Sequence, residues 1–200
     1  PPPVTDPTAE GVVDRVLADA DAVCDLASFG DCDTAGLDHV DLAARDLEFV
    51  NLARADLAGA DLTGADLTRV RMSTTTLTGA SLAGAQLDWA NLSRATLIGS
   101  DLSGANLTYA DMSRADLTGA DLTGADLAGA NLTYARLTGV RWEGVTADTA
   151  TKWPNGFQFK PSWSSITVVA APTPPAPCVP AASVACPAAN LKGASLAEAD

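Results

Sequence analysis

The chain has 200 residues, of which 47% are hydrophobic and only 5% aromatic, and it carries a formal net charge of −13. This acidity argues against direct binding of nucleic acid, which needs a basic patch, and it favours solubility or a basic partner. No apolar run approaches the roughly 20 residues that a membrane-spanning helix needs.

Residues 1–32 are predicted to form an N-terminal helical cap. Asp6 suits a helix N-cap, with Pro7 at the first helical position. Apolar residues then follow at helical spacing from Val12 to Val23, with charged residues on the other face. The pattern predicts an α-helix over about residues 7–26, which we expect to cover one end of the segment that follows.

A large apolar residue, almost always leucine, returns at every fifth position from Leu37 to Trp142, 22 times without an insertion. We call this residue the centre of the repeat. On an α-helix every fifth residue would scatter around the axis, and on a flat strand an odd period would alternate between the two faces. A coil of short extended steps and corners points every centre to one axis. The period therefore predicts an all-β solenoid.

The residue two positions after each centre shows a second period, of 20 residues. Sorted by this period, these residues fall into four columns, and glycine fills two of the columns almost entirely. The arginines and aromatics at this position all lie in the other two columns. These columns contain Phe49, Arg69, Trp89 and Tyr109, and Arg54, Arg94, Arg114 and Tyr134. Four repeats are therefore expected to form one coil with a square cross-section.

The A(D/N)LXX pattern of these repeats, as in ADLTGADLAGANL, resembles that of the pentapeptide-repeat proteins. The resemblance covers about residues 33–147. It implies a right-handed quadrilateral parallel β-helix, with about 5.5 coils in this segment. Some members of that family are DNA mimics that inhibit DNA gyrase, which makes gyrase a partner that the resemblance offers.

The segment after the repeats is predicted to be a second cap, over residues 148–187. Its first part, ADTATKWPNGFQFKP, resembles a run-out that often follows such repeats, and residues 165–170 have the composition of one strand. A proline-rich, extended stretch follows. Residues 188–200 restart the repeat, with centres at Leu191 and Leu196. We interpret the restart as part of a longer repeat protein; the alternative is a tail that completes a coil elsewhere.

Four cysteines form two equally spaced pairs, Cys24 with Cys32 and Cys178 with Cys186, and both pairs are placed outside the repeats. Zinc sites usually have closer spacing, and the chain has one histidine. Two disulfides are therefore favoured over a metal site, with the connectivity open. Disulfides predict an extracellular, cell-surface or other oxidising location. The alternative is four unpaired thiols in a cytoplasmic protein.

No catalytic constellation stands out in the sequence. The single histidine, His39, is interpreted as a solvated surface residue or a cap contact, and the aspartates before the centres as corner hydrogen-bond acceptors. We therefore expect no enzymatic activity, no cofactor and no metal.

The two columns of arginines and aromatics exceed what the repeat needs. Arginine and aromatic side chains stack on one another and are enriched in interface hot spots. We therefore predict a rigid, non-catalytic rod that presents this face to a protein partner or to another copy, with end-to-end stacking as one form of self-association. Two alternatives remain: the segment WPNGFQFKPSW of the same chain covers the face, or the side chains simply stack on the surface.

The alternative function is a DNA mimic that binds and inhibits DNA gyrase. Aspartates precede the centres in two neighbouring columns, and the first column is interrupted at Ser81 and the second at Gln86. The average charge density of the repeats is about half that of DNA. The columns contain Asp41, Asp61, Asp101 and Asp121, and Asp46, Asp66 and Asp126.

Overall fold

The computed structural model describes residues 30–157 and 167–169. Within these residues the chain winds as a parallel β-helix. The residue before each centre pairs with the residue 20 positions further along, as Asp41 does with Asp61 and Asp61 with Ser81. This register continues without a break from the Asp31–Asn51 pair to the Asp126–Thr146 pair. The 20-residue period of the glycine columns is thus the pairing period, and each coil has four sides.

Most of the extended steps are single bridged residues and too short to count as strands. The two longer elements lie at the C-terminal end: strand β1 is Thr146–Asp148 and strand β2 is Thr167–Val169. They pair in parallel, with Thr146 opposite Thr167. Strand β2 falls inside the stretch 165–170 that the sequence predicts as extended.

Two ladders fill the inside of the coil. Every centre from Leu42 to Leu132 is 0% exposed, and the alanines and valines two positions before the centres are buried beside them. Burial of one such leucine contributes roughly 1.5–3 kcal/mol before conformational entropy is counted. A small residue is needed beside each leucine because the coil is narrow and a larger one would overpack it.

Hydrogen bonds between the coils and across the corners hold this backbone. In one repeat, the Asp61 N–H donates to the Val40 carbonyl at 2.8 Å and the Leu62 N–H to the Ser81 carbonyl at 2.7 Å. The Ala65 N–H closes the corner by donating to the Leu62 carbonyl at 3.1 Å. Because the pattern repeats, each coil is tied to the coils on both sides, which makes the rod stiff along its axis.

The ladder begins one repeat earlier than the sequence predicts. Cys32 occupies a centre position, is 1% exposed and donates its N–H to the Asn51 carbonyl at 2.7 Å. The prediction that both cysteine pairs lie outside the repeats is therefore wrong for Cys32, because a cysteine in the place of leucine hid the register. Cys32 is disulfide-bonded, and its partner lies outside the described residues. The predicted N-terminal helix, Cys24, Cys178, Cys186 and the restarted repeat also lie there.

The last described coil is one residue longer than the others. Asn131 pairs with Lys152, 21 positions away, and Asp148 and Thr151 are buried at the extra corner. Trp142 occupies the last regular centre. Trp153 and Phe157 stack on each other at 4.8 Å, and each lies within 6 Å of the Trp142 ring, centroid to centroid. The described part of the predicted C-terminal cap thus places an aromatic cluster at the end of the coil.

Candidate interaction face

The corners of the coil all have the same backbone conformation. The residue two positions after each centre has a positive φ, between 54° at Ala44 and 72° at Gly119. With the hydrogen bond that closes the corner, and with no positive φ at the residue before, this is the pattern of a type II turn, which favours glycine at this position. A non-glycine residue there costs roughly 1–2 kcal/mol. The glycine columns are therefore the relaxed corners, and the arginine and aromatic columns are strained ones.

The two strained columns border one side of the coil. One column comes directly before the bridged residues of this side along the chain, and the other comes directly after them. We call this side, with its two corner columns, the Arg/aromatic face. Its bridged residues are Asp31, Asn51, Arg71, Asn91, Asp111, Asn131 and Lys152. Its corner residues are Phe49, Arg69, Trp89, Tyr109 and Gly129 on one edge, and Thr34, Arg54, Thr74, Arg94, Arg114 and Tyr134 on the other.

The corner side chains contact one another from coil to coil. The Trp89 and Tyr109 rings stack, with centroids 4.5 Å apart and planes 16° from parallel. The Arg69 guanidinium carbon lies 5.6 Å from the centre of the Phe49 ring, and that of Arg114 lies 5.5 Å from the Tyr134 ring. Trp89, Tyr109 and Tyr134 nevertheless remain 55%, 50% and 60% exposed. The face therefore offers a pre-ordered row of aromatic and cationic groups to solvent.

An ion pair fixes the arginine at the N-terminal end of the face. Arg54 donates to both carboxylate oxygens of Asp33, with its Nε at 3.0 Å from Oδ1. This hydrogen bond lowers the pKa of Asp33 and raises that of Arg54. Both groups are at the surface, so the pair orients Arg54 more than it stabilises the fold.

Arg71 is a residue of this face that the sequence interpretation missed. It stands at a bridged position, between Asn51 and Asn91, and is exposed. The signal was present, because an arginine occupies a position where aspartate or asparagine is usual. For arginines and aromatics, the interpretation considered only the residues two positions after the centres, and so left Arg71 out.

The opposite side of the coil has a different character, and we call it the acidic face. Its corners are glycines on both edges, apart from His39 and Ala44 at the N-terminal end, so few side chains rise above its surface. A Cβ added at Gly64, Gly84 or Gly104 would meet nothing within 4 Å. The bridged residues of the acidic face are Asp41, Asp61, Ser81, Asp101, Asp121 and, at the C-terminal end, Arg141.

The aspartates of the acidic face are held in place by the corners. Oδ1 of Asp61, Asp101 and Asp121 each accepts a hydrogen bond at 2.9 Å from the N–H two residues further on. That N–H has no backbone acceptor, which explains why the repeat prefers aspartate or asparagine there. Hydrogen bonds from Thr63 lower the pKa of Asp61. Burial raises the pKa of Asp121, but hydrogen bonds from Thr123 and the charge of Arg141 outweigh it, so the net shift is downward.

Other candidate chemistry is sparse. His39 is exposed, contacts Asp38 at 3.3 Å and lies over Gly59. Among residues 30–157 and 167–169, no group of three His, Cys, Asp or Glu side chains is placed to hold a metal ion. The same residues include no helix long and apolar enough to cross a membrane. Trp153 and Phe157, from the segment considered as a cover for the Arg/aromatic face, contact Trp142 at the end of the coil instead.

The five-residue repeat, the four-sided coil and its type II corners define the class of protein, and sequence comparison agrees. The family model described as "Pentapeptide repeats" matches in 8 copies, over residues 35–73, 72–108, 85–124 and 110–146. These ranges cover more than half of the chain, which therefore belongs to the pentapeptide-repeat family. The predicted family resemblance is confirmed, and with it the right-handed quadrilateral β-helix becomes the fold expected of the chain.

Solved structures of this family resemble the chain. HetL, a pentapeptide repeat protein involved in heterocyst differentiation regulation from Nostoc sp. strain PCC 7120, is 32% identical over 62% of this chain and 68% of its own, with a TM-score of 0.54. The pentapeptide repeat protein alr5209, also from Nostoc PCC 7120, is 29% identical over 66% of this chain and 99% of its own, with a TM-score of 0.44. No curated protein shows significant sequence similarity to the chain.

Proposed function

We propose that the protein is a non-catalytic, rigid β-helical rod that binds protein partners, including further copies of itself, through its Arg/aromatic face. The observation that carries this proposal is the backbone strain at the corners of one side. Glycine fits every corner without strain, as it does along the acidic face. The Arg/aromatic face instead keeps bulky residues at positive φ, and such exceptions to a local rule cluster at functional sites.

The chemistry of the face supports binding to protein. Trp89 and Tyr109 present a large, stacked aromatic surface, and Arg69, Arg71, Arg94 and Arg114 provide cations beside it. Tryptophan, tyrosine and arginine dominate the energetics of protein interfaces. Stacking between coils already restricts these side chains, so little conformational entropy remains to be lost on binding.

The test is a double substitution on the face, Arg69→Ala with Trp89→Ala, in the full chain. We expect the far-UV circular dichroism to be unchanged, because both side chains lie outside the ladder. We expect capture of a protein from the native host, or association between copies, to weaken at least about tenfold, since hot-spot truncations commonly exceed the roughly 1.4 kcal/mol that a tenfold change represents.

The matched control is Thr78→Ala with Ile98→Ala, which trims two exposed residues from a neighbouring side of the coil. These residues make no part of the Arg/aromatic face, so we expect binding to be retained. Equal binding by the wild type and the Arg69/Trp89 variant would refute the proposal. Equal loss in both double variants would also refute it, because the effect would not be specific to the face.

A DNA mimic directed at gyrase is the second candidate function. The observation in its favour is the alignment of fixed carboxylates on the acidic face, two of which have lowered pKa values. Inhibition of DNA supercoiling by the wild-type chain, and its loss on Asp61→Asn with Asp101→Asn, would support this candidate. Unaltered supercoiling at a large excess of the protein would remove it.

We further propose an oxidising location for the protein. The support is the disulfide at Cys32 in the first described coil, since cytosolic proteins keep most of their thiols reduced.

A further inference from the structure

We infer that copies of this protein pack side by side, with the Arg/aromatic face of one copy on the acidic face of the next. This inference deepens the proposed function by naming a partner for the face. It differs from end-to-end stacking, which would use the ends of the coil and not its sides. Four features of the described residues carry it: the placement of the two faces, their charge, their shape and their common period.

The first feature is placement. Four bridged columns follow one another around each coil, as in the sequence Asn51, Asp56, Asp61, Asp66, after which Arg71 returns to the first column. The first and third columns are therefore on opposite sides. The first belongs to the Arg/aromatic face and the third to the acidic face. One copy can thus use both faces at once, each with a different neighbour.

The second feature is charge. Five arginines lie on the Arg/aromatic face, although the chain as a whole has a net charge of −13. They are Arg54, Arg69, Arg71, Arg94 and Arg114. Among the carboxylates near them, Asp33 is paired with Arg54, and Asp111 accepts a hydrogen bond from Asn131 at 3.0 Å. On the acidic face, Arg141 at the C-terminal end contacts Asp121 at 3.0 Å, which leaves Asp41, Asp61 and Asp101 without a described cation.

The third feature is shape. The edges of the acidic face are glycine corners with open space above them at Gly64, Gly79, Gly84, Gly99 and Gly104. The edges of the Arg/aromatic face are the opposite, since bulky side chains rise from both. A second copy can therefore seat its aromatic and arginine edges over the glycine edges. A side chain in place of these glycines would obstruct that approach.

The fourth feature is the period. Both faces gain one row of side chains per coil, and coils are about 4.8 Å apart. Arginines in successive coils of one copy therefore have the same spacing as aspartates in successive coils of another. Once one arginine meets one aspartate, further pairs fall into register, which a partner with another period would not allow.

The size of the contact predicts weak association. The bridged positions from Asp31 to Lys152 span about six coils, or roughly 29 Å at about 4.8 Å per coil. One narrow side of that length is smaller than the ~800 Å² per partner of standard interfaces. Two different faces meet in each contact, so it does not close on itself and produces growing rows of molecules. The association is therefore expected to rise with protein concentration and to fall with salt.

The experiment is sedimentation velocity on the full chain over a series of protein concentrations, at low and at high salt. Variant A has Arg94→Asp and Arg114→Asp on the Arg/aromatic face. Variant B has Asp61→Arg and Asp101→Arg on the acidic face. Arginine already occupies the bridged position at Arg71, Arg136 and Arg141, so variant B should fold, and far-UV circular dichroism checks both variants.

We expect the wild type to associate at low salt, and we expect each variant alone to associate at least about tenfold more weakly. An equimolar mixture of A and B should recover the association. In the mixture, the unchanged acidic face of A meets the unchanged Arg/aromatic face of B, and the two altered faces attract each other. Recovery in the mixture excludes misfolding as the cause of the loss.

Two results would overturn the inference. The first is a wild type that stays monomeric at every protein and salt concentration. The proposed function would still stand in that case if a host protein bound the chain and the binding were sensitive to substitution of Arg69 and Trp89. Association that is equally strong in A, in B and in the wild type would point to stacking through the ends of the coil and would likewise overturn side-by-side packing.

Discussion

At the corners, single residues place arginine and aromatic side chains on the surface although the backbone there is strained. Twelve non-glycine residues in the described part of the chain have positive φ, and ten of them lie in the two corner columns of the Arg/aromatic face. The row of aromatic side chains also requires a glycine in the next coil, at its C-terminal end. The Tyr109 ring lies so close to Gly129 that an added Cβ would come within 2.5 Å of it. Trp89 therefore stacks on Tyr109, Tyr109 covers Gly129, and the column of large side chains ends there.

Arg94 offers a direct measurement of this strain. It has a φ of 60°, so Arg94→Gly should be more stable than Arg94→Ala, by roughly 1 kcal/mol. At Arg71, which does not have a positive φ, the order should reverse, because glycine costs roughly 0.5–1 kcal/mol relative to alanine in extended structure. Urea unfolding of the four variants tests both comparisons. The same order at both positions would contradict the assignment of strain to the corner.

The C-terminal coil shows how one element accommodates an irregularity. Because this coil has an extra residue, the backbone carbonyl that would accept a hydrogen bond from the Gly129 N–H is displaced. The Asp148 carboxylate takes the place of that carbonyl. Oδ1 of Asp148 accepts hydrogen bonds from the Gly129 N–H at 2.8 Å, the Ala150 and Thr151 N–H groups at 2.9 Å and the Thr151 hydroxyl at 3.0 Å. Burial raises the pKa of Asp148, but these hydrogen bonds outweigh it, so the pKa lies below the usual value of an aspartate.

Asp148 should therefore stabilise the fold in a pH-dependent way. Because its pKa is lower in the folded than in the unfolded chain, its contribution is complete above the unfolded pKa of about 4 and is lost as the pH falls through the folded value. Asp148→Ala should lower the free energy of unfolding by about 1–3 kcal/mol at pH 7, since it leaves buried donors without an acceptor. The difference from the wild type should shrink in urea titrations near pH 3.

The matched control for Asp148 is Asp126→Ala, in the preceding coil, at the bridged position that pairs with Thr146. Asp126 accepts one corner N–H, from Ala128 at 3.0 Å, so its replacement should destabilise the chain less. If the Asp126 variant loses as much free energy of unfolding at pH 7 as the Asp148 variant, the additional hydrogen bonds of Asp148 contribute nothing to stability.

At the scale of the whole molecule, a thin coil has two ends that its own repeats cannot close, because the last backbone groups have no further coil to pair with. At the C-terminal end, Trp142, Trp153 and Phe157 cover the ladder, and β2 pairs with β1 beside them. At the other end, the disulfide-bonded Cys32 lies in the first described coil. The ends therefore carry features that the repeats lack.

The predicted cysteine pairing bears both on the ends of the coil and on the location of the protein. Alkylation of thiols at lysis of the native host, followed by peptide mass analysis without reduction, should find Cys24 joined to Cys32 and Cys178 joined to Cys186. A sample that is first reduced and then alkylated serves as the control, because the joined peptides should disappear from it. Four alkylated thiols in the native sample would remove the argument for an oxidising location and would make the gyrase assay the next experiment.

The sequence by itself determined the inward-facing half of this molecule. The period of five marks Leu42 or Leu87 as a ladder residue, and the period of 20 gives the four-sided coil, because burial in a narrow repeated space restricts the same positions every time. Only the tertiary structure decided the rest: Cys32 as the first described centre, the 21-residue coil at Asp148, and Arg71 between the two strained corners. Cys32 and the longer coil depend on the pairing register at the two ends of the ladder, and the position of Arg71 depends on which columns share a side once the coil closes. The sequence shows an unusual arginine at position 71, but it does not show which residues lie beside that arginine in space.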